Sequence, residues 1–243
     1  MTLKSMLLRV LPAPLVSAVR RRRRERAQRV FRGLSPSQVF DKIYADGVWG
    51  GGDFNSGRGS REAAIVEPYV AATREFLRSL PAPPDAVDLG CGDFFVGSQL
   101  RELCGSYIAC DVVPALIARN RARYPGTEFR VLDLTADELP AAEVVMIRQV
   151  LQHLSNAGIA RVVPQLEGKY KYLILTEHLP AGESFEPNLD KPTGADIRPH
   201  ANGSGVVLTS APFGLRVAEQ RRLCEARDSD GTRIVTTLYC LFS

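Results

Sequence analysis

Five short apolar runs recur along the middle of the chain, and segments with helical spacing of their apolar residues separate them. The runs lie at 86–89, 107–111, 128–132, 144–147 and 172–176. Strands that alternate with helices are typical of βαβ units, in which helices cover both faces of a parallel sheet. The pattern therefore predicts an α/β fold with a doubly wound, mostly parallel sheet.

The end of the chain has a different pattern. Residues 215–227 and 232–242 alternate between apolar and polar positions, and Asp228-Ser229-Asp230-Gly231 between them has the composition of a tight turn. We expect an antiparallel hairpin at the end of the sheet, which brings the number of strands to seven.

The helical segments are predicted at 96–103, 114–123 and 150–165, with a further helix at about 60–80 that a run of prolines ends. An earlier helix is expected to start at Ser35-Pro36-Ser37 and to bury Val39, Phe40 and Ile43. The glycine-rich residues 46–61 between these helices show neither the helical nor the strand pattern of apolar residues, which is typical of a functional loop.

The net charge of +4 is unevenly distributed. Residues 1–33 hold ten basic residues and one acidic residue, which leaves 21 basic and 26 acidic residues for 34–243. The longest uncharged stretch of this leader, residues 10–19, is too short to span a membrane, since a span needs about 20 apolar residues. Three interpretations stay open for the leader: a solvated arm, an anchor on anionic lipid, or a nucleic-acid-binding arm.

Composition narrows the class of protein. A hydrophobic content of 45% excludes a disordered or disulfide-scaffold chain. The five cysteines are odd in number and have no metal-ligand spacing, so we expect reduced thiols in a cytoplasmic protein and no metal site.

The segment Val87-Asp88-Leu89-Gly90-Cys91-Gly92-Asp93 leads from a predicted strand into a glycine-rich turn, which brings backbone close to a nucleotide-like ligand. Phe95 replaces the third glycine of a dinucleotide-binding loop, which disfavours an NAD-dependent oxidoreductase. Asp93 would repel a diphosphate and suits a ligand with an ammonium or sulfonium group.

Aspartates also lie at the ends of the next two predicted strands. Asp111 comes 19 residues after Gly92, about where such folds place the acidic residue for ribose hydroxyls. Asp133 ends the third strand, where it can meet an adenine amino group. One strand-end aspartate is more often a helix cap, but three in register indicate a binding site.

The ordered segments VDLGCGDFF, ACDVVP, VLDLTADELP and VVMIRQVLQHLS resemble the motifs of class I S-adenosylmethionine (SAM)-dependent methyltransferases. The resemblance covers about residues 40–243 and implies a Rossmann-like fold with reversed last strands. Trp49-Gly50-Gly51 and Ser56-Gly57-Arg58-Gly59-Ser60 resemble bacterial members associated with sugar and surface-polysaccharide modification. The expected domains are a basic leader at 1–33, N-terminal helices with a glycine-rich cofactor lid at 34–80, and the methyltransferase domain at 81–243.

The resemblance also implies which residues bind SAM. They are Trp49, Arg58, Ser60, Asp88, Gly90, Gly92, Asp93, Asp111, Asp133, Leu134 and Gln149. The loop from Asp88 would lie under the methionine part, Asp111 would bind the ribose, and Asp133 with Leu134 would face the adenine. Arg58 or Ser60 would close over the carboxylate, and Trp49 would pack against the ligand. A solvated loop charge and a core anchor are the respective alternatives for Arg58 and Trp49.

Methyl transfer to a hydroxyl requires an aligned acceptor and a group that removes its proton. We expect that base at the carboxyl ends of the fourth and fifth strands. His153 is the first candidate and, on a helix starting here, shares a face with Gln149. His178 is the second, and Glu177 would orient either imidazole. The alternatives are structural histidines and, with less support, a divalent cation held by these three residues.

The sequence thus predicts a cytoplasmic SAM-dependent methyltransferase that O-methylates a sugar or other small polar acceptor with a histidine base. Residues 179–213 would recognise the acceptor. The alternatives are an RNA or protein methyltransferase that uses its basic arm, and a non-catalytic cofactor-binding scaffold. We expect a small-molecule or glycan partner, no nucleic acid, and peripheral contact of residues 1–33 with an anionic membrane.

Overall fold

The computed structural model describes residues 22, 26, 28–50 and 54–242. The chain divides into two compact units, residues 1–34 and 35–243. Within the first unit Arg22, Arg26, Gln28 and Arg29 are helical. Most of the predicted leader lies outside the described residues, so its function stays a prediction. The fold described below is that of the second unit.

Seven strands form one sheet. They are β1 (Asp85–Leu89), β2 (Ser106–Asp111), β3 (Glu128–Val131), β4 (Val144–Arg148), β5 (Tyr172–Leu179), β6 (Val217–Arg227) and β7 (Arg233–Leu241). Their order is β3-β2-β1-β4-β5-β7-β6. The first five strands are parallel, and β7 pairs antiparallel with both β5 and β6. The predicted mostly parallel sheet with a C-terminal hairpin is confirmed.

Five α-helices accompany the sheet. They are α1 (Pro36–Ala45), α2 (Ala63–Ser79), α3 (Pro114–Arg123), α4 (Asn156–Leu166) and α5 (Arg198–Asn202). Ser35 and Gln38 form a capping box that fixes the start of α1, in which each side chain accepts from the other residue's backbone N–H. Helix α1 buries the three predicted apolar residues, and α3 has the predicted bounds.

The helix predicted over 96–103 is wrong. Two 3₁₀ turns, Gly97–Gln99 and Arg101–Leu103, stand in its place. Phe94 precedes them with a positive φ of 60° and a fully buried ring that packs edge-on against Tyr107. Because this ring holds the segment close to the sheet, the chain turns more tightly than an α-helix allows.

The helix predicted over 150–165 starts later than expected. The segment first makes a 3₁₀ turn, Leu151–His153, and α4 then begins at a new cap, where the Ser155 hydroxyl accepts from the Gly158 N–H. The Glu177 carboxylate accepts a hydrogen bond from the Leu151 N–H at 3.1 Å. This partner on β5 competes with helical hydrogen bonding and keeps the first residues out of the helix.

The sheet positions the site through its carboxyl edge. Strand β4 lies between β1 and β5, and its residues Val144 to Ile147 are buried, as expected of a parallel sheet covered on both faces. The loops after β1, β2, β4 and β5 meet at one edge, where open α/β sheets bind their ligands. Within the described ranges, no helix combines the length and apolar character that crossing a membrane requires.

Candidate active site

A cavity of about 370 Å³ opens at this edge of the sheet. Its walls come from the loops after β1, β2 and β4, from the end of β5, from α5, and from the β6–β7 turn. Every residue that the sequence assigned to SAM lines the cavity except Asp133. Two of the three catalytic candidates, His153 and His178, line it as well, whereas Glu177 does not.

The glycine loop, Gly90-Cys91-Gly92, is tightly held. Its first and last residues have φ values of +83° and +54°, which favour glycine. The Gly92 N–H donates to Asp111 Oδ2 at 3.0 Å, and the Gly92 carbonyl accepts from Asn120 Nδ2 at 2.7 Å. Asn120 is fully buried in α3. This residue was not predicted from the sequence, where its one signal is a polar amide on an otherwise apolar helix face.

Two carboxyl groups lie beneath and beside the glycine loop. Asp88 Oδ2 accepts from the Tyr107 hydroxyl at 3.0 Å, and Asp111 Oδ1 accepts from the Val113 N–H at 3.1 Å. Burial raises the pKa of Asp88 to about 7 and that of Asp111 to about 6. Each Asp111 oxygen retains lone-pair capacity, so this carboxylate can also accept from a ligand hydroxyl.

We expect Asp111→Ala to weaken SAM binding by roughly 1–3 kcal/mol, the range for a lost buried hydrogen-bond partner. Titration calorimetry measures the change, and Asp111→Asn tests whether the charge or the shape matters. Because the ionised form is the better acceptor, wild-type affinity should weaken as the pH falls through about 6. Unchanged affinity in the alanine variant would remove Asp111 from the binding site.

The wall beyond β3 is apolar. Leu132 and Leu134 line the cavity there, whereas the Asp133 side chain turns back onto its own loop. Its Oδ1 accepts from the Thr135 N–H at 2.9 Å and from the Thr135 hydroxyl at 2.7 Å. The structure therefore does not bring Asp133 to the position expected for an adenine contact, because a local turn uses its carboxylate.

The lid, residues 46–61, contains two arginines, Arg58 and Arg61, and neither has the role expected for Arg58, a contact with the ligand carboxylate. Arg58 donates to Glu62 Oε2 at 2.6 Å and to the Ser229 hydroxyl at 2.9 Å, so its guanidinium bridges the lid to the β6–β7 turn. Arg61 instead forms an ion pair of 2.6 Å with the buried Asp93. Asp93 therefore already has a cationic partner, and Arg58 is not directed at a ligand carboxylate.

The lid is fastened to the glycine loop by Ser56. Its hydroxyl accepts from the Asp93 N–H at 2.9 Å and lies 3.0 Å from the Tyr44 hydroxyl. Gly59 packs so closely over Gln149 that a Cβ on this glycine would lie 2.1 Å from Oε1. Ser60 lies in the same 3₁₀ turn, Arg58–Ser60, and lines the cavity.

Gln149 does not share a helix face with His153. It has a φ of +57°, and its N–H donates to the Thr176 carbonyl at 2.7 Å, so no helix begins at this residue. Its Nε2 is buried and has no hydrogen-bond partner within the described ranges. A donor at the cavity wall is thus available to an acceptor atom of a ligand.

His153 is buried with both ring nitrogens engaged. Nδ1 lies 3.3 Å from the Gly194 carbonyl oxygen, which can only accept, so this nitrogen carries the proton. Nε2 lies 3.3 Å from Gln152 Nε2. Burial, assisted by the nearby Lys191 ammonium, lowers the pKa of His153 to about 3. The imidazole is therefore neutral, and its remaining lone pair faces the Gln152 amide.

Gln152 orients both histidines. Its Oε1 accepts from the His178 N–H at 2.9 Å, which fixes the amide orientation and directs Nε2 to His153. The same Oε1 lies 3.1 Å from His178 Nδ1, so that nitrogen carries the proton. His178 Nε2 then presents a lone pair. It is buried without a hydrogen-bond partner among the described residues and lies 3.5 Å from Asp228 Oδ2.

Glu177 does not contact the imidazole that it was expected to orient. Instead of an imidazole, its Oε1 binds the backbone after β4, and burial raises its pKa to about 8. Trp49 packs against the imidazole of His153, with ring centroids 4.9 Å apart, and donates from Nε1 to the Ala195 carbonyl. His200 on α5 also lines the cavity, a position that the sequence analysis missed.

No group of three His, Cys, Asp or Glu side chains in the described ranges is arranged to hold a metal ion. The residues present do fit SAM. A Cβ on Gly90 would lie 2.3 Å from Val150 Cγ2, so the glycine loop allows close backbone approach. Asp111 offers acceptors for hydroxyls, the leucines after β3 an apolar wall, and Gln149 Nε2 a donor without a partner.

Comparison with known proteins gives a match to one domain and a shared fold. A family model described as a methyltransferase domain matches residues 87–164, from β1 to α4. The sequence has no match among curated proteins. N-methyltransferase NodS from Bradyrhizobium japonicum WM9, solved with S-adenosyl-l-homocysteine, is similar with a TM-score of 0.59 and 14% identity, covering 84% of this chain and 98% of that chain.

Two further solved structures share the fold. Magnesium protoporphyrin IX methyltransferase from Synechocystis PCC 6803, with bound SAM, has a TM-score of 0.55 and 14% identity over 86% of this chain and 99% of its own. Human N-acetylserotonin methyltransferase with SAM has a TM-score of 0.54 and 13% identity over 87% of this chain and 61% of its own. Residues 87–164 thus match a methyltransferase domain, and the chain has the fold of SAM-dependent methyltransferases of known structure.

Proposed function

We propose that this chain transfers the methyl group of SAM to a hydroxyl of a sugar or other small polar acceptor, with His178 as the general base. One observation carries the proposal: a buried imidazole nitrogen of His178, at the cavity wall, has a lone pair and no hydrogen-bond partner among the described residues. A base for hydroxyl deprotonation requires such a lone pair.

The residues around the glycine loop would hold SAM. The loop would lie under the methionine part, Asp111 would accept from the ribose hydroxyls, and Leu132 with Leu134 would enclose the adenine. When bound, SAM supplies a methyl group attached to a positively charged sulfur. An oxygen that takes the methyl group releases this sulfur as a neutral thioether. The protein must therefore align the acceptor and remove its proton.

His178 is prepared for proton removal. Burial lowers its pKa, so the imidazole is neutral at pH 7. The acceptor hydroxyl would donate to Nε2 and pass its proton to that nitrogen, while the proton on Nδ1 stays with Gln152 Oε1. The carboxylate of Asp228, 3.5 Å from Nε2, would stabilise the imidazolium that forms.

The acceptor would occupy the end of the cavity beside Trp49. This end combines an indole ring with Asp196, His200 and Asp228, an apolar surface with a few polar groups that is typical of small-molecule sites. Structural neighbours whose names include magnesium protoporphyrin IX and N-acetylserotonin are compatible with a small acceptor. The acidic character of this end disfavours RNA.

The acceptor class can be tested with methyl-labelled SAM and four sets of probes: methyl glycosides, simple amines, total RNA and a denatured protein extract. We expect label in the methyl glycosides, on oxygen, and a strong loss of labelling in His178→Ala. Mass spectrometry and carbon NMR locate the methyl group. Label on nitrogen, or label in RNA that falls steeply with salt, would replace the proposal by one of the alternatives.

A further inference from the structure

The carboxylate of Asp228 lies across the cavity from the proposed base. This residue begins the β6–β7 turn, and its two oxygens have different surroundings. Oδ1 accepts from the Ser229 N–H at 2.6 Å and from the Ser229 hydroxyl at 3.1 Å. Oδ2 faces His178 Nε2 at 3.5 Å. Oδ1 also lies 3.4 Å from the Arg58 guanidinium. One oxygen therefore binds the turn and Arg58, and the other is directed into the acceptor end.

The two facing atoms are both hydrogen-bond acceptors. His178 carries its proton on Nδ1, because Gln152 Oε1 faces that nitrogen, so Nε2 can only accept. An ionised carboxylate can only accept as well. A single hydroxyl has one proton and can satisfy one of them. Two hydroxyls on neighbouring carbons can satisfy both, one donating to Nε2 and the other to the carboxylate.

An amine could also donate to both atoms, but the charges here work against its methylation. A carboxylate beside an amine favours the protonated ammonium, and an ammonium nitrogen has no lone pair with which to attack. A diol needs no such change of protonation. Its second hydroxyl gains a charge-assisted hydrogen bond, which is stronger than one between neutral groups.

The charges at this end also select against anionic acceptors. Asp196 and Asp228 line the cavity, and Asp230 lies next to them in the chain's β6–β7 turn, bonded to His200. Arg58 is a nearby cation, but its guanidinium already pairs with Glu62 at 2.6 Å and with Asp228 Oδ1 at 3.4 Å. A phosphate or carboxylate next to the reacting hydroxyl would meet like charges at short range.

We infer that the acceptor is an uncharged vicinal diol of a sugar-type compound, whose reacting hydroxyl faces His178 and whose neighbouring hydroxyl binds Asp228. This inference rests on the proposed function and narrows it. It makes Asp228 a specificity-determining residue for the neighbouring hydroxyl.

The position of the methyl group in the natural acceptor tests the inference. The full-length enzyme and methyl-labelled SAM are incubated with a cell extract, the labelled small molecule is purified, and NMR locates the methyl group. We expect a methyl ether with a free hydroxyl on the adjacent carbon. A methyl ether without that neighbour overturns the inference but leaves the proposed function intact. Label on nitrogen or on a carboxylate, or no labelled carbohydrate, overturns both.

A matched pair of alanine variants then tests Asp228 itself. Wild type should use the identified diol about 10- to 100-fold better, in kcat/KM, than its analogue lacking the neighbouring hydroxyl. In Asp228→Ala that preference should fall to about threefold or less, whereas Glu219→Ala, which removes an exposed carboxylate of β6 that does not line the cavity, should keep it. SAM affinity and thermal unfolding verify that both variants fold. An equal loss toward the two acceptors in Asp228→Ala would show a structural role only and overturn the inference.

Discussion

Replacing His178 with alanine should lower kcat about 10²- to 10⁴-fold, the usual contribution of a general base. The affinity for SAM should change little, because the glycine loop and Asp111 would hold the cofactor. Single-turnover measurements at saturating acceptor separate the chemical step from binding, and calorimetry gives the affinity for SAM. A loss below tenfold, with SAM affinity intact, would remove His178 from the base role.

His153→Ala is the matched control for this experiment. Both ring nitrogens of His153 are engaged, one with the Gly194 carbonyl and the other with Gln152. We therefore expect a smaller loss of kcat than in His178→Ala, caused by a looser Gln152 amide and lost packing with Trp49. A larger loss than in His178→Ala would restore His153 as the base.

The pH profile of the same reaction gives an independent readout. The neutral imidazole is the active form, and burial lowers the pKa of His178 while Asp228 opposes that shift. Activity should therefore be constant at and above neutral pH and fall only below the ordinary histidine value of about 6.5. Asp228→Asn removes the opposing charge and should move the inflection to still lower pH.

The fold was predictable because its strands are buried on both faces. Apolar runs such as 144–147 and 172–176 need no knowledge of their neighbours to be recognised as strands. The two errors arose where a partner distant in sequence decides the local structure. Glu177 on β5 binds the backbone after β4, and the ring of Phe94 holds the chain against the sheet. The local pattern of apolar and polar residues gives no sign of either contact.

The site was predictable where a residue type is tied to backbone geometry. Gly90 and Gly92 follow a strand, and Asp111 ends the next one, so their meeting follows from topology. Side-chain pairing was not predictable. Arg58 and Arg61 lie in the same lid, and only the folded structure shows that Arg61 pairs with Asp93. Which of the two histidines has a ring nitrogen without a hydrogen-bond partner among the described residues likewise depends on Gln152. Its side chain accepts from a backbone N–H 26 residues away.

Replacing Gly90 with alanine should weaken SAM binding at least tenfold. A Cβ here would lie 2.3 Å from Val150 Cγ2 and 3.3 Å from Cγ1, far inside van der Waals contact. Rotation of the valine gives no relief, because its two methyl groups both lie on this side and β-branched side chains have few rotamers. Either the glycine loop or the segment after β4 must move, and both line the cavity.

Gly126→Ala isolates this contact from backbone strain. Gly126 has a φ of +84°, almost the same as the +83° of Gly90, and a Cβ there would meet no atom within 4 Å. Both variants share a cost of about 1–2 kcal/mol for a left-handed alanine, measurable by chemical unfolding. The Gly126 variant should therefore lose stability but keep its affinity for SAM in calorimetry. If both variants lost affinity equally, general destabilisation would explain the effect, and if Gly90→Ala bound SAM normally, the glycine loop would not be the cofactor cradle.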